Sequence, residues 1–383
     1  MKSYNHLYEQ YISEDNYYLA VKNATAHKGG KRRKYRKAQY YKHHADELKP
    51  RLLNYAANFY NHKHEPKEIY DGIRRKKRNI IVPSMDEQVV HHMVVNVLKP
   101  IILKPMYTHS YGSLPNRGAT SGRKGKSRGG KEAVEKFIRN NPKDCKYCLK
   151  MDIHKFFDTV PHDRLKSMFE RIIHDQRFLN ILNIVIDANN SEVGMPIGFY
   201  TSQWFANFYL TGLDHYVKEV LGAKGYFRYM DDMVVFDGNK RNLHRIKNEV
   251  DEYIQNELGL AMNPKWQIFL FDYEKKNGKH VGTFLDFMGF RFYRNRTTLR
   301  RNLFLRMIRK SKRIAKKKPK TVYDCRQMLS YKGWLTPTDT YNAYKRRIKP
   351  YVSFRYMRQF VSRVQKMENR RVKQCGTKVK TET

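Results

Sequence analysis

The sequence predicts an α+β protein, and three observations carry that reading. Short runs rich in β-branched and aromatic residues (CKYCLKMDI, YFRYM, MVVF, LDFMGFRFYR) alternate with stretches whose apolar residues recur at helical spacing. In chain order the central region runs β, α, α, ββ, α, ββ. The 383 residues are 40% hydrophobic with 28 Tyr and 20 Phe, too rich in large apolar rings for a disordered basic chain even at a mean hydropathy of −0.80. At ~150 residues per domain, this length allows two to three domains.

Residues 1–70 are rich in Tyr, Lys and His, with LYEQYISEDNYYLAV reading as one helix and KGGKRRKYRKAQYY as a Gly hinge opening a basic helix. In RNIIVPSMDEQVVHHMVVNVLKPIIL a β-rich run stops at Pro83. A helix starts after Ser84, with Asp86 and Glu87 in the first turn where they complement the helix dipole. Residues 112–131, GSLPNRGATSGRKGKSRGGK, hold Arg117, Arg123, Lys124, Lys126, Arg128 and Lys131 and no acid. Such a mobile loop cannot pack a core and suits phosphate contact, although a merely solubilising loop has the same composition. KEAVEKFIRNN then reads as a helix and, past Pro142, CKYCLKMDI as a strand ended by Asp152.

PHDRLKSMFERII has Pro161 in a first helical turn, and TSQWFANFYLTGLDHYVKEVL reads as one longer helix entered from the loop GMPIGFY. YFRYM and MVVF form a hairpin with Asp231 and Asp232 between them. A helix over NLHRIKNEVDEYIQNELGL leads through AMNPKWQIFLF to LDFMGFRFYR, two strand-like stretches. Every charged residue from 291 to 320 is basic, Arg306, Arg309, Lys310 and Arg313 among them, and Leu303, Met307 and Ile314 are interleaved. That pattern predicts a helix with one face on the protein and a basic face on a duplex backbone. Further helices follow around a Gly333-Trp334 turn, and the last residues fray.

Lys plus Arg is 77 and Asp plus Glu is 36, so the net charge is +41, and the pI is about 10.0. This balance argues for a polyanionic partner and against a free-standing metabolic enzyme. Cys145, Cys148, Cys325 and Cys375 are too few and scattered to staple the chain, which fits a reducing compartment. Cys145 and Cys148 lack a second Cys or His pair at zinc spacing. The first residues lack a signal-peptide apolar run and no stretch approaches ~18 apolar residues, so a cytoplasmic protein with no membrane partner is expected.

Three acids stand out: Asp152 at a strand end, and Asp231 and Asp232 in a turn 79 residues later (231 − 152). Adjacent acids in a turn are ordinarily turn chemistry. Beside apolar runs in so basic a chain they also suit hard divalent cations with oxygen ligands. Two such ions ~3.5–4 Å apart activate a hydroxyl and stabilise a leaving pyrophosphate, which is nucleotidyl transfer.

In order along the chain, RNIIVPSMDEQVV, SYGSLPNRG, CLKMDIHKFFDTVPHDRL, GMPIGFYTSQWFANFYL, YMDDMVVF, LGLAMNPKWQIF and LDFMGFRFYR resemble the seven blocks of reverse transcriptases, spanning roughly residues 78–294. YMDD alone is a weak signal; its place after the D-x-x-x-F-F block and the G-x-x-x-S-Q helix makes it specific. The resemblance implies a right-hand polymerase: a basic helical extension over 1–70, fingers over 71–150 with the basic loop 112–131, a palm over 151–295, a helical thumb over 296–370 and a disordered tail over 371–383. It implies two Mg2+ ions, with Mn2+ able to substitute, held by Asp152, Asp231 and the Ile153 carbonyl with help from Asp232. Phe156 and Phe157 fall in the block of the steric gate against a ribose 2′-hydroxyl, with Phe157 as the gate itself; a core Phe is the simpler alternative. Arg78 and Arg117 match residues that hold the incoming deoxynucleoside triphosphate, Lys265 lies where a general acid for pyrophosphate is placed, and Met288 and Gly289 resemble the primer grip. Arg123, Lys124, Arg128, Arg306, Arg309, Lys310 and Arg313 are the expected contacts to template RNA and the RNA/cDNA duplex.

The fourth block departs from the commoner Gln-Gly-x-x-x-Ser-Pro. It reads Ile197-Gly198-Phe199-Tyr200-Thr201-Ser202-Gln203, a form similar to reverse transcriptases of diversity-generating retroelements, which copy a template RNA with frequent errors opposite adenine. Ile197 in place of an amide is expected to remove a polar contact near the nascent base pair, so that geometry is checked less stringently; an Ile197 that merely packs, with fidelity unchanged, is the alternative. That subfamily implies a small basic oligomeric accessory protein as partner. If the palm ends near 300, 383 − 300 leaves 83 residues, room for a thumb and not for a nuclease domain. Two alternatives stay open: a faithful group II-like, CRISPR-associated or phage-defence reverse transcriptase, and an idle RNA-binding scaffold.

Overall fold

The structure, a computed structural model, describes residues 3–26, 32–71, 76–120, 129–188, 191–275, 277–317 and 320–378. The first stretch forms two helices, α1 (Leu7–Tyr11) and α2 (Glu14–Thr25), where the sequence predicts one. Ser13 causes the break: its backbone is extended, its hydroxyl accepts from the Asn16 N–H at 3.2 Å, and Glu14 and Asp15 follow in the first turn. α3 (Arg32–His43) is the expected basic helix and α4 (Ala45–Ala57) follows it; the expected Gly hinge at 29–30 lies outside the described residues. β1 (Lys67–Asp71) and β2 (Lys76–Ile80) make an antiparallel hairpin. Ser84 and Glu87 form a reciprocal capping box that starts α5 (Met85–Leu103) where expected. α5 runs through the core, burying Val89, Val90, Val94 and Leu98 completely.

Five strands form the central sheet in the order β3-β5-β6-β4-β7, with β3 (Ser110–Tyr111), β4 (Tyr147–Asp152), β5 (Gly225–Tyr229), β6 (Asp232–Asp237) and β7 (Gln267–Leu270). β6 pairs antiparallel with both β4 and β5. α6 (Gly130–Asn140) precedes β4; Lys131, expected in the basic loop, is buried in its first turn and paired with Glu135 at 2.7 Å. α7 (Phe156–Thr159), α8 (His162–Glu170) and α9 (Gln176–Ile186) follow β4, with Pro161 at the cap of α8 rather than inside its first turn. The single long helix predicted from Thr201 to Leu221 is instead α10 (Tyr200–Tyr209), α11 (Thr211–His215) and a π-helical turn, Tyr216–Val220. Buried demands override the local periodicity there: Asp214 turns to Arg228, and Gly212 admits the Tyr253 hydroxyl within 2.8 Å of where a Cβ would stand. α12 (Lys240–Asn256) presents Leu243, Ile246, Val250 and Ile254 to the core.

The chain divides into two compact units, Met1–Arg117 with Lys143–Phe269, and Gly118–Pro142 with Leu270–Thr383. The second holds a small hairpin, β8 (Tyr273–Glu274) with β9 (His280–Val281), and a three-stranded antiparallel sheet of β10 (Leu285–Phe287), β11 (Phe290–Phe292) and β12 (Thr297–Leu299). Its helices among the described residues are α6 and, after the sheet, α13 (Arg301–Lys316), α14 (Val322–Leu335), α15 (Tyr341–Arg347) and α16 (Phe354–Lys378). The basic run therefore starts with the end of β11, a turn and β12, and is helix only from Arg301. Gly333 and Trp334 lie inside α14, not at a turn. The Trp334 ring packs 5.4 Å from Phe290 and covers Gly289, so packing on the sheet outweighs the Gly-Trp turn signal. Among the described residues no helix is long and apolar enough to cross a membrane.

Candidate active site

The first unit builds its polar centre at the turn of the β5–β6 hairpin. Met230 turns the chain with a φ of +55°, Asp231 follows in the turn and Asp232 opens β6. Strand register sets Asp232 opposite Asp152, the last residue of β4. The chain beyond β4 is then pinned: Asn263 N–H donates to the Asp152 carbonyl at 2.7 Å and His154 N–H to the Ala261 carbonyl at 2.8 Å. These two bonds flank the bridge between Ile153 and Met262 and leave the Ile153 carbonyl out of it. Asn263 also donates its side-chain amide to Asp152 Oδ2 at 3.0 Å.

Asp152 and Asp231 share a side-chain hydrogen bond. Burial, then the neighbouring Asp152 charge, push the Asp231 carboxyl up to about 7. Asp232 sits 3.4 Å from Lys150 Nζ. Among the described residues no group of three His, Cys, Asp or Glu side chains converges closely enough to hold a metal ion by itself. The pair still fits a hard cation: two carboxyls in contact, one forced to keep its proton, are relieved by a divalent ion whose remaining ligands are carbonyl, water and phosphate oxygens.

The residues expected around the nucleotide are placed as follows. Phe156 is buried and Phe157 half-buried in α7, with ring centroids 5.6 Å apart, and the Phe157 carbonyl accepts from Met195 N–H at 2.7 Å. Ile81 N–H donates to the Ile197 carbonyl at 2.8 Å, which ties the fourth block to the segment leaving β2, the strand that carries half-buried Arg78. Gly198 has a φ of +124°, and a Cβ there would stand 2.0 Å from the Ile81 carbonyl oxygen, so only glycine fits. Below it, the imidazole of buried His91, which burial pushes down to about 3 and so keeps neutral, meets the Thr201 hydroxyl at 3.1 Å. Gln203 is exposed on α10. Arg117 donates to the Tyr107 carbonyl at 2.6 Å. Lys265 is exposed, and its N–H donates to Asn263 Oδ1 at 3.1 Å, so Asn263 joins the Lys265 loop to Asp152.

Met288 and Gly289 belong to the second unit, at the β10–β11 turn with φ of +52° and +87°. On α13 Arg309 and Arg313 are exposed, Arg306 is half-buried, and Lys310 pairs with Asp324 at 3.4 Å. Arg123, Lys124, Lys126 and Arg128 lie outside the described residues. Two residues of the centre were not singled out by sequence: Asn263 and the fully buried Arg228. Arg228 had a signal, a charge inside an otherwise apolar and aromatic strand.

The model of the reverse transcriptase (RNA-dependent DNA polymerase) family matches residues 62–297, which take in Arg78, Asp152, Asp231, Asp232, Lys265 and Gly289. The match covers more than half of the chain, which belongs to the reverse transcriptase family. Its mixed helices and strands are consistent with the right-hand polymerase fold expected from the sequence. The chain is 24% identical to Protein YkfC of Escherichia coli (strain K12) over 267 residues, 58% of this chain and 65% of YkfC. It is 25% identical to the retron Ec73 reverse transcriptase of Escherichia coli over 186 residues, 45% of this chain and 53% of that protein. The match thus spans less than two thirds of either relative. Among solved structures, apo telomerase from Candida tropicalis is similar with a TM-score of 0.46 at 14% identity, covering 74% of this chain and 56% of that one.

Proposed function

We propose that this chain copies template RNA into DNA by two-metal nucleotidyl transfer. The observation that carries the reading is the contact between Asp152 and Asp231 at the end of the β4–β6–β5 sheet, inside the span that matches the reverse transcriptase family. Asp152, Asp231 and the Ile153 carbonyl would hold the Mg2+ ions, which supply an activated primer hydroxyl and charge neutralisation at the triphosphate. Asp232 acts beside them with its charge balanced by Lys150. Asn263 fixes one oxygen of Asp152 so that the other faces the ions. Lys265 stands on the same loop as a proton donor to pyrophosphate, and Arg78 and Arg117 serve the incoming deoxynucleoside triphosphate. Phe157 is the gate against ribose. Residues 71–150, 151–295 and 296–370 act as fingers, palm and thumb, with Met288 and Gly289 gripping the primer.

The subtype follows from the fourth block. Ile197 offers an apolar side chain where an amide is commoner, and this supports error-prone synthesis opposite template adenine within a diversity-generating retroelement, assisted by a small basic accessory protein in the cytoplasm. Primer extension on an RNA template tests the activity: DNA synthesis that requires Mg2+ and disappears in Asp152→Asn and Asp231→Asn is expected. Product from either variant at the wild-type rate would remove the assignment.

A further inference from the structure

Behind the catalytic hairpin lies an ion pair with no exposed atom. Arg228, on β5, donates Nε to Asp214 Oδ1 at 2.7 Å and Nη2 to Asp214 Oδ2 at 2.6 Å, and both side chains are fully buried. The Ser110 hydroxyl at 2.6 Å and the Tyr226 hydroxyl at 2.8 Å complete the acceptor capacity of that carboxylate. Such a closed pair is no ornament of stability. Desolvating two charges offsets most of their attraction, and an apolar replacement of similar volume is often as stable.

The third nitrogen reaches outside the pair. Arg228 Nη1 points away from Asp214, donates to the Met230 carbonyl at 3.0 Å and reaches Asn207 Oδ1 at 3.3 Å. Met230 is the residue at φ +55°, a conformation costly for a side chain with a Cβ, and its own N–H donates to the Tyr111 carbonyl at 3.0 Å. Both polar backbone groups of the strained residue are therefore held by the protein. The Met230 carbonyl and the Asp231 N–H belong to one planar peptide unit, so fixing the oxygen fixes the plane from which the Asp231 Cα hangs.

We propose that Arg228, clamped by Asp214, is a positioning residue for the nucleotidyl transfer: it locks the Met230–Asp231 peptide so that the Asp231 carboxylate meets Asp152 in the geometry the metal ions need. The role rests on the polymerase reading above, and its structural half is testable without it.

Arg228→Lys keeps a positive charge against Asp214 and loses the planar fork that serves Asp214 and Met230 together. In this variant, hydrogen exchange at the Met230 and Asp231 amides should accelerate while the centres of β5 and β6 stay protected. Unchanged exchange would overturn the proposal whether or not the wild type polymerises. Given wild-type DNA synthesis, kcat should fall ~100-fold, the scale of an ångström-level misplacement, with nucleotide KM and primer-template affinity nearly unchanged. A kcat equal to the wild type would overturn it. If Arg228→Lys does not fold, the combined replacement Arg228→Met, Asp214→Leu, Ser110→Ala, Tyr226→Phe removes the charges and their buried partners together. A folded quadruple variant with wild-type kcat and wild-type exchange at Asp231 would show that the pair only fills the core.

Discussion

Asp231 keeps its proton to about pH 7 in the metal-free protein because burial and Asp152 both oppose its charge. A carboxyl whose folded pKa lies above its unfolded value of 3.8 binds more protons when folded. Its stabilising contribution is present below the unfolded pKa and is lost as pH rises through about 7. The metal-free protein should therefore lose Tm between about pH 4 and about pH 7, at roughly 2–4 °C per kcal/mol for a unit of this size. Mg2+ should restore Tm at the upper end, and Asp231→Asn should abolish both effects. Thermal melts across that range check this, and a pH-independent wild-type Tm would contradict it. Asn263→Ala removes the bonds to Asp152 Oδ2 and to the Lys265 N–H, and is expected to lower Mg2+ affinity 10–100-fold, the usual effect of losing a group that orients a metal ligand. Calorimetric titration with Mg2+ reads that change, and an affinity equal to the wild type would contradict it. The three aspartates were legible in sequence because acids at a strand end and in a turn stand out against a charge of +41. Asn263 was not, because its meaning comes from a partner 111 residues away.

Gly198 shows how one element depends on another. Its φ of +124° and the 2.0 Å approach to the Ile81 carbonyl leave no room for a methyl group. Gly198→Ala should displace the entry of α10 from the segment after β2 and cost at least ~1–3 kcal/mol, the price of a strained backbone position, with loss of nucleotide binding. A chemical-denaturation series and nucleotide KM measure the two effects, and a variant as stable as the wild type would show that the loop moves freely. The start of α5 was readable because Ser84 and Glu87 cap it with their own side chains. The breaks between α1 and α2 and between α10 and α11 were less so: Ser13 competes with an uninterrupted apolar period, and Asp214 and Gly212 answer to Arg228 and Tyr253 rather than to their own helix. The basic run after 291 misled for the opposite reason. Charge pattern carries no period of its own, and beyond the expected strand of Phe290 and Phe292 the residues Thr297–Leu299 pair with it as β12 before α13 begins.

For the whole molecule, a charge of +41 favours binding to a polyanion, and on the function proposed above the paired aspartates decide what is done with it. Binding to an RNA/DNA duplex should weaken linearly in log salt, and Arg309→Ala or Arg313→Ala, both exposed on α13, should each reduce the slope by ~1 while sparing the catalytic step. Slopes unchanged in both variants would place the duplex elsewhere. Such binding is shared by polymerases and scaffolds alike, so the product decides. Deep sequencing of DNA made by the purified chain on its own locus RNA with Mg2+ and any small neighbouring basic protein, beside an Asp231→Ala, Asp232→Ala control, is the most direct test. RNA-templated DNA with errors concentrated at template adenines, absent from the control, is the expected result. Uniformly faithful DNA would contradict the mutagenic subtype, and no metal-dependent product with any partner would contradict reverse transcription itself.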